Sequence, residues 1–235
     1  MMQAGRWSHA GRLRPPVACG LGFGLAVAAF VWGSAHGAYA ISPAQLWQVL
    51  VQALQGQGAQ GTEHLVFMNI RLPRLLLGAA AGAGLGMAGA LMQGLFRNPL
   101  ADPGLIGVSS GAALAAAGAI VLGPIWLPVL GFQLGSWALA ICAFAGGVLV
   151  TWLIYLLAQS GAGTRVSLML LAGIAINALA GAGLGFLSYV STDEQLRNVQ
   201  LWLMGSLGQA RWAAVWMVGT VVLVCWRWRS AWRGP

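Results

Sequence analysis

The chain has 235 residues, of which 59% are hydrophobic and 7% are charged, and its formal net charge is +8. Soluble domains carry about 25% charged residues. So few charges cannot cover a water-facing surface, so the composition excludes a soluble globular domain and indicates a chain that lies mainly in lipid. The 12 basic residues are all arginine and stand between apolar stretches, which argues against nucleic-acid binding.

Histidine and cysteine are scattered along the chain. Cys19, Cys142 and Cys225 all lie in apolar stretches, and their spacing fits neither a zinc site nor a disulfide framework. We therefore expect no metal site, no cofactor and no catalytic residue.

The first apolar stretch, residues 17 to about 39, predicts a membrane span that follows an N-terminal tail of residues 1–16. Arginines before this stretch and Ala38-Tyr39-Ala40 after it also resemble a cleaved signal peptide, although the apolar run is long for one. Next, Ser42 followed by Pro43 is typical of a helix start. The apolar spacing from Leu46 to Leu54 predicts a short amphipathic helix, and the residues at 55–61 predict a loop.

Five further spans are predicted. They lie between Arg74 and Arg97, and at about 102–123, 134–158, 166–190 and 210–226. Ser191 and Glu194 have the spacing of a capping box and predict a short helix through residue 203. The predicted fold is all-α, a polytopic transmembrane bundle of about six spans in one domain, 1–235, with a membrane region at 17–226 and a basic tail at 227–235.

Glycine pairs four residues apart, such as Gly82 with Gly86 and Gly181 with Gly185, predict close helix packing, although chance could give such pairs in a glycine-rich chain. The orientation follows from arginine counting. With the N-terminus inside, the inner loops hold eight of the 12 arginines and the outer loops hold four. This excess predicts that both termini are cytoplasmic.

The most informative block begins at Arg71-Leu-Pro-Arg74 and continues through the polar, proline-broken turn that starts at Arg97. Non-helical backbone at membrane depth must face protein or a water-filled path. By physical reasoning alone, Arg71 and Arg74 are best explained as side chains that reach the lipid headgroups.

The run RLPR at 71–74, followed by GALMQGLFRNPLADPGLIGVSSGAAL at 89–114, resembles the signature of permease subunits of bacterial ABC importers for vitamin B12, haem and iron–siderophore chelates. The resemblance extends over about residues 41–212 and includes Leu171-Ala-Gly-Ile174 and Trp202-Leu-Met-Gly-Ser206. It implies a permease of ten spans in the complete family fold.

The resemblance also implies residue roles. Arg71 and Arg74 would face the periplasm and dock a substrate-binding protein. Asn98, Leu100 and Ser167 would belong to the cytoplasmic gate.

Two further residues would line the pathway. Asn177 would lie along it, or would instead form a hydrogen bond between helices. Arg197 would meet a haem propionate or the binding protein, or would instead pair with Asp193 four residues earlier. Residues 191–207 look most like the haem-importing members, so haem is favoured over a siderophore, and cobalamin is the least favoured substrate.

By the same resemblance, two permease copies would form a homodimer in the bacterial inner membrane, in contact with lipid. Cytoplasmic ATPase subunits and a periplasmic substrate-binding protein would complete the importer. The chain itself would be a transporter subunit and not an enzyme. Because it has no lysine, it has no Gly-Lys-Ser/Thr phosphate loop, so the ATPase would be another polypeptide.

The family pattern has about a hundred more residues, and the Trp/Arg-rich end of this chain does not resemble it. A truncated or frameshifted gene, or a fragment, is therefore expected. One alternative is a membrane fragment that does not transport. Another is a membrane enzyme acting on a lipid or quinone, which is disfavoured because all four acidic residues fall in predicted loops.

Overall fold

A computed structural model describes residues 15–37, 39, 41–55, 61–126, 137–160, 163–208 and 210–231, and most of these are helical. The α-helices are α1 (Pro15–Ala35), α2 (Pro43–Leu54), α3 (Thr62–Val66), α4 (Leu72–Phe96), α5 (Val108–Val121), α6 (Gly123–Trp126), α7 (Ala138–Leu157), α8 (Val166–Val190), α9 (Asp193–Met204) and α10 (Trp212–Ala231). A π-helical segment, Phe67–Arg71, joins α3 to α4, and a 3₁₀ helix, Pro103–Ile106, precedes α5. The two-residue strands β1 (Gln159–Ser160) and β2 (Gly163–Thr164) pair antiparallel between α7 and α8. The predicted all-α class is confirmed.

Four helices are long and apolar enough to cross a membrane: Pro16–Ala35, Thr62–Phe96, Ala138–Leu157 and Val166–Val190. Two shorter apolar helices, Val108–Val121 and Trp212–Trp228, coincide with the third and sixth predicted spans. Every predicted span therefore corresponds to an apolar helix, but only four of these helices combine the length and the apolar composition of a span within the described residues.

The third predicted span differs most from the structure, because its helix is interrupted near its start. Asp102 caps the 3₁₀ helix by accepting a hydrogen bond from the Gly104 amide at 2.7 Å. Gly107 then adopts a left-handed conformation, with φ of 78°, and the α-helix begins at Val108. Left-handed backbone ends a helix and is open to glycine without a steric penalty.

The start of α9 corrects a second prediction. The capping box is formed by Thr192 and Gln195, one residue later than the predicted Ser191 and Glu194. Gln195 also donates to the carbonyl of Val121 at 3.2 Å, which ties α9 to the end of α5. The helix start predicted at Ser42 is confirmed, because the Ser42 side chain accepts from the Gln45 amide at 3.2 Å.

The described residues form two compact units, one within residues 1–81 and 208–235, the other at 82–207. In the first unit, the buried residues Ile41, Val49 and Phe67 form the apolar core. In the second unit, Ile106, Ile154, Ala158 and Met169 form one core cluster. A second cluster there comprises Ala117, Val121, Leu187 and Val199.

Helices α5 and α7 pack at glycine contacts. A Cβ atom added to Gly111 would lie 2.5 Å from the Gly146 carbonyl oxygen, so only glycine permits this approach. The glycines predicted to pack are not the ones that do. A Cβ atom added to Gly82, Gly86, Gly181 or Gly185 would have no neighbouring atom within 4 Å.

Large apolar side chains cover much of the outer surface. Phe23 and Phe144 are each 74% exposed, and Phe186 is 65% exposed. Such a surface is stable next to lipid and unstable in water, which agrees with the composition.

Candidate functional site

Arg71 ends the π-helical segment and is almost fully buried, with 8% of its surface exposed. Its guanidinium donates to the carbonyls of Ser34 at 2.6 Å, Ala35 at 3.2 Å and Tyr39. Two carbonyls in the last turn of α1 and one shortly after it are thus satisfied by one planar, five-donor group, a geometry that suits arginine and not lysine. We call this set of contacts the Arg71 clasp.

Gly37 lies directly against the Arg71 clasp. A Cβ atom added to Gly37 would lie 2.9 Å from a guanidinium nitrogen of Arg71, so a larger residue here would have to displace the arginine side chain. The two arginines of the RLPR motif therefore have different surroundings. Arg71 is enclosed, whereas Arg74 is exposed and donates to the carbonyl of Gly208 at 3.3 Å.

The first turn of α3 carries a carboxylate that contacts Tyr39, one of the residues of the Arg71 clasp. Glu63 accepts hydrogen bonds from the hydroxyl of Tyr39 at 3.3 Å and from the side chain of Gln45 at 3.4 Å. Partial desolvation, the negative charge of Glu63 and this hydrogen bond together raise the pKa of the Tyr39 phenol.

The π-helical segment also offers a backbone carbonyl to another element of the same unit. The indole nitrogen of Trp212, at the start of α10, donates to the carbonyl of Met68 at 3.0 Å. π-Helical turns disturb the regular ladder of helix hydrogen bonds and are frequent at functional sites.

In the second unit, residues 97–107 form the connection that we call the proline turn. Arg97 has a positive φ of 48° and follows the last helical residue of α4. The Asn98 side chain accepts from the Leu100 amide at 2.9 Å, and the Asn98 carbonyl accepts from the Ala101 amide at 3.1 Å. The proline turn is therefore a defined structure built on the side chains of Asn98 and Asp102, which accept backbone amide protons.

Leu100 is 86% exposed at the tip of the proline turn. Ser167, in the first turn of α8, is also exposed. The two segments meet behind these residues, because Phe96 packs on the cluster that contains Ile106 and Met169. The structure thus brings together the two segments that carry the predicted gate residues.

Asn177 lies half-buried in the middle of α8 and makes two contacts with residues before it in the chain. Its amide nitrogen donates to the carbonyl of Gly104 at 3.0 Å, and its oxygen accepts from the Ser110 hydroxyl at 2.5 Å. This is the alternative that the sequence left open, a hydrogen bond between helices. Lining of a pathway by Asn177 stays a prediction.

Arg197 is exposed on α9. The alternative predicted for it, an ion pair with Asp193, does not form, although both side chains are described and exposed.

The sequence did not predict which residues form hydrogen bonds with Arg71 and Asn177. Ser34, Tyr39 and Ser110 have no sequence signal of their own, because each meets its partner across more than 30 residues.

Known proteins match this chain over most of its length. The model of the FecCD transport family matches residues 25–230. The hemin transport system permease protein HmuU of Yersinia pestis is 41% identical over 213 residues, which are 91% of this chain and 60% of the relative. The vitamin B12 import system permease protein BtuC of Klebsiella pneumoniae is 37% identical over 172 residues, 73% of this chain and 49% of the relative.

Among solved structures, an inward-facing conformation of a transporter described as an ABC transporter of the metal-chelate type superposes with a TM-score of 0.70 at 29% identity. The superposition covers 90% of this chain and 60% of that one. The chain thus spans about 60% of the length of the haemin permease and of this structural neighbour.

Proposed function

Because the chain belongs to the FecCD transport family, we propose that it is a transmembrane permease subunit of an ABC importer that moves haem or an iron–siderophore across the inner membrane. A separate ATPase drives the transport. The main support is the 41% identity to a haemin permease over 91% of the chain. Cobalamin is the second candidate substrate, since vitamin B12 permeases are 37% to 39% identical over shorter ranges.

The proposed partners follow from the importer assignment. The chain, a single permease domain, forms a homodimer surrounded by lipid in the inner membrane, with its N-terminus in the cytoplasm. ATPase subunits bind the cytoplasmic face, and a periplasmic binding protein delivers the substrate. The sequence has no lysine and so has no Gly-Lys-Ser/Thr phosphate loop, which supports the proposal of a separate ATPase subunit.

Arg71 and Arg74 contribute differently to docking of the binding protein. Arg74 is exposed and has the long, charged side chain that acidic groups on a partner attract. Arg71 would have to leave three backbone carbonyls to reach a partner, and this would leave buried acceptors unpaired. Arg74 therefore makes the direct contact, and Arg71 supports the surface around it.

Gate function is assigned to the proline turn and to the start of α8, where Asn98, Leu100 and Ser167 lie. An exposed leucine beside polar turn residues suits a constriction that excludes water when closed. Arg197 on α9 remains available for an anionic substrate group or the binding protein.

The test is substrate uptake in the organism that encodes the chain. Deletion of the gene is expected to abolish uptake of labelled haem and to leave labelled cobalamin uptake unchanged, with expression from a plasmid restoring haem uptake. Loss of siderophore uptake alone would identify an iron–siderophore, and not haem, as the substrate. Unchanged uptake of haem and siderophore would overturn the proposal, and selective loss of cobalamin uptake would support the second candidate.

A further inference from the structure

The proline turn is bound to the middle of α8 by polar and steric contacts. The polar contact is the hydrogen bond from Asn177 to the carbonyl of Gly104, at 3.0 Å. Gly104 belongs to the 3₁₀ helix inside the proline turn, one residue after Pro103. The Asn177 amide therefore holds backbone that is not part of a regular α-helix.

Asn177 is itself held in place by a second hydrogen bond. The Ser110 hydroxyl lies 2.5 Å from the Asn177 oxygen and 3.2 Å from the carbonyl of Gly107. The oxygen side of the amide is thus satisfied by α5, and the nitrogen side is directed at the proline turn. An amide with both ends engaged has a single preferred orientation.

A steric contact lies one helical turn before Asn177 on the same face of α8. A Cβ atom added to Gly173 would clash with the carbonyl oxygen of Leu105. The proline turn therefore rests on the bare backbone of α8 at Gly173. At Gly107, where the turn ends, an added Cβ atom would lie 2.6 Å from Val150 and 2.7 Å from Ile154 of α7.

We propose that Asn177 and Gly173 lock the proline turn to α8, so that the two segments assigned to the gate move as one rigid body and not as independent flaps. Asn177 is a positioning residue in this arrangement, since it acts through the backbone of Gly104. The inference rests on the proposed function only in naming these segments a gate. Gating then requires α8 itself to shift, because the proline turn cannot open while it remains bound to α8.

The test uses pairs of spin labels in the full-length chain, reconstituted in lipid nanodiscs with Cys19, Cys142 and Cys225 replaced by alanine. One label pair, Leu100→Cys with Leu171→Cys, spans the proline turn and α8, and both side chains are exposed. A second pair, Leu149→Cys with Leu179→Cys, reports on the packing of α7 against α8 and is also exposed. The parent is expected to give one narrow distance distribution for each pair.

Asn177→Leu keeps the size of the side chain and removes both hydrogen bonds. It is expected to broaden or split the distribution of the first pair and to leave that of the second pair unchanged. Gly173→Ala is expected to lengthen the distance of the first pair. The matched controls, Ser188→Ala and Gly181→Ala, lie on the same helix, where Ser188 donates only within α8 and Gly181 has open space. Both are expected to match the parent.

A narrow, unchanged distribution for the first pair in Asn177→Leu and Gly173→Ala would overturn the proposal. Broadening of both pairs would also overturn it, because Asn177 would then stabilise the helix bundle in general. The measurement needs neither substrate nor ATPase. A failed uptake experiment would therefore remove the importer assignment without affecting this result, and a failed lock would leave the importer assignment unaffected.

Discussion

Arg71 satisfies three backbone carbonyls where α1 ends, and its removal would leave them without a donor. An unsatisfied buried acceptor costs about 1–3 kcal/mol. We therefore expect Arg71→Ala to lower the free energy of unfolding by about 2–5 kcal/mol, measured by SDS titration in mixed micelles. Arg71→Lys is expected to recover only part of the loss, because an ammonium group cannot reproduce the planar fork.

The control for this prediction is Arg211→Ala, which removes an exposed arginine of the same unit. Its effect is expected to stay within about 0.5 kcal/mol, as is usual for surface substitutions. Equal, small effects of the two alanine substitutions would contradict the structural role of the Arg71 clasp.

Tyr39 and Glu63 give the first unit a response to alkaline pH. The pKa of the Tyr39 phenol is raised above its ordinary value of 10.0 by desolvation, by the charge of Glu63 and by their hydrogen bond. A raised acid pKa in the folded state means that the contact stabilises the fold below about pH 10 and is lost as the pH rises through the raised value. Glu63→Gln is expected to lower the titration midpoint of Tyr39.

Ultraviolet difference absorbance of tyrosinate measures this midpoint, with Tyr39→Phe identifying the contribution of Tyr39 among the three tyrosines. If Glu63→Gln left the Tyr39 midpoint unchanged, the carboxylate would not be the neighbour that raises it.

At the residue level, the sequence indicates which residues matter better than it indicates what they touch. The RLPR motif predicted one role for Arg71 and Arg74, yet the structure encloses the first and exposes the second. The difference arises because the acceptors of Arg71 lie 32 to 37 residues earlier in the chain. No local pattern encodes such a distant contact.

At the level of whole helices, the contact between α5 and α7 depends on glycine. A Cβ atom added to Gly146 would lie 2.5 Å from the carbonyl oxygen of Gly111 and would clash with Ala115. Gly146→Ala is therefore expected to destabilise the second unit by about 1–3 kcal/mol in SDS titration, the usual cost of overpacking.

Gly118→Ala on α5 is the matched control, because nothing lies within 4 Å of its added Cβ atom. It is expected to be neutral or slightly stabilising, since alanine favours a helix by about 0.5–1 kcal/mol over glycine. A Gly146→Ala protein as stable as the Gly118→Ala protein would show that the two helices do not approach at this point.

Regular elements were predicted better than interrupted ones. The span predicted at about 166–190 coincides with α8, Val166–Val190, because the whole stretch is apolar and uninterrupted. The third span was predicted as one helix from residue 102, but the left-handed Gly107 divides it. Glycine spacing likewise did not identify the packed pairs, since Gly82 and Gly181 fit the pattern and have no close neighbours.

Docking of the binding protein is a property of the whole molecule, and Arg74 is the residue that tests it. Arg74→Glu is expected to weaken binding of the organism's own periplasmic binding protein by about tenfold or more, equivalent to about 1.4 kcal/mol. Titration with the chain in nanodiscs measures this affinity. Arg165→Glu, an exposed arginine on the predicted cytoplasmic side, is expected to bind like the parent, and equal affinities for both variants would remove the docking role of Arg74.

The membrane class of the whole molecule followed from composition alone, because a chain with 7% charged residues cannot cover itself in water. The number of spanning helices did not follow so simply, since the third predicted span is divided at Gly107 into a 3₁₀ helix and a shorter α-helix. The amino-acid composition indicates that the chain lies in lipid, whereas the length of each helix depends on where the backbone leaves the helical conformation.

The helix Thr62–Phe96 is long and apolar enough to cross a membrane. We propose that it does so with the RLPR motif outside and the proline turn inside. The most direct test of this proposal labels Thr62→Cys and Asn98→Cys, both exposed positions, with a membrane-impermeant maleimide in a chain whose three cysteines are replaced. We expect Thr62→Cys to be labelled from the periplasm and Asn98→Cys to be labelled only after the inner membrane is permeabilised. Labelling of both positions from the same side would contradict the account.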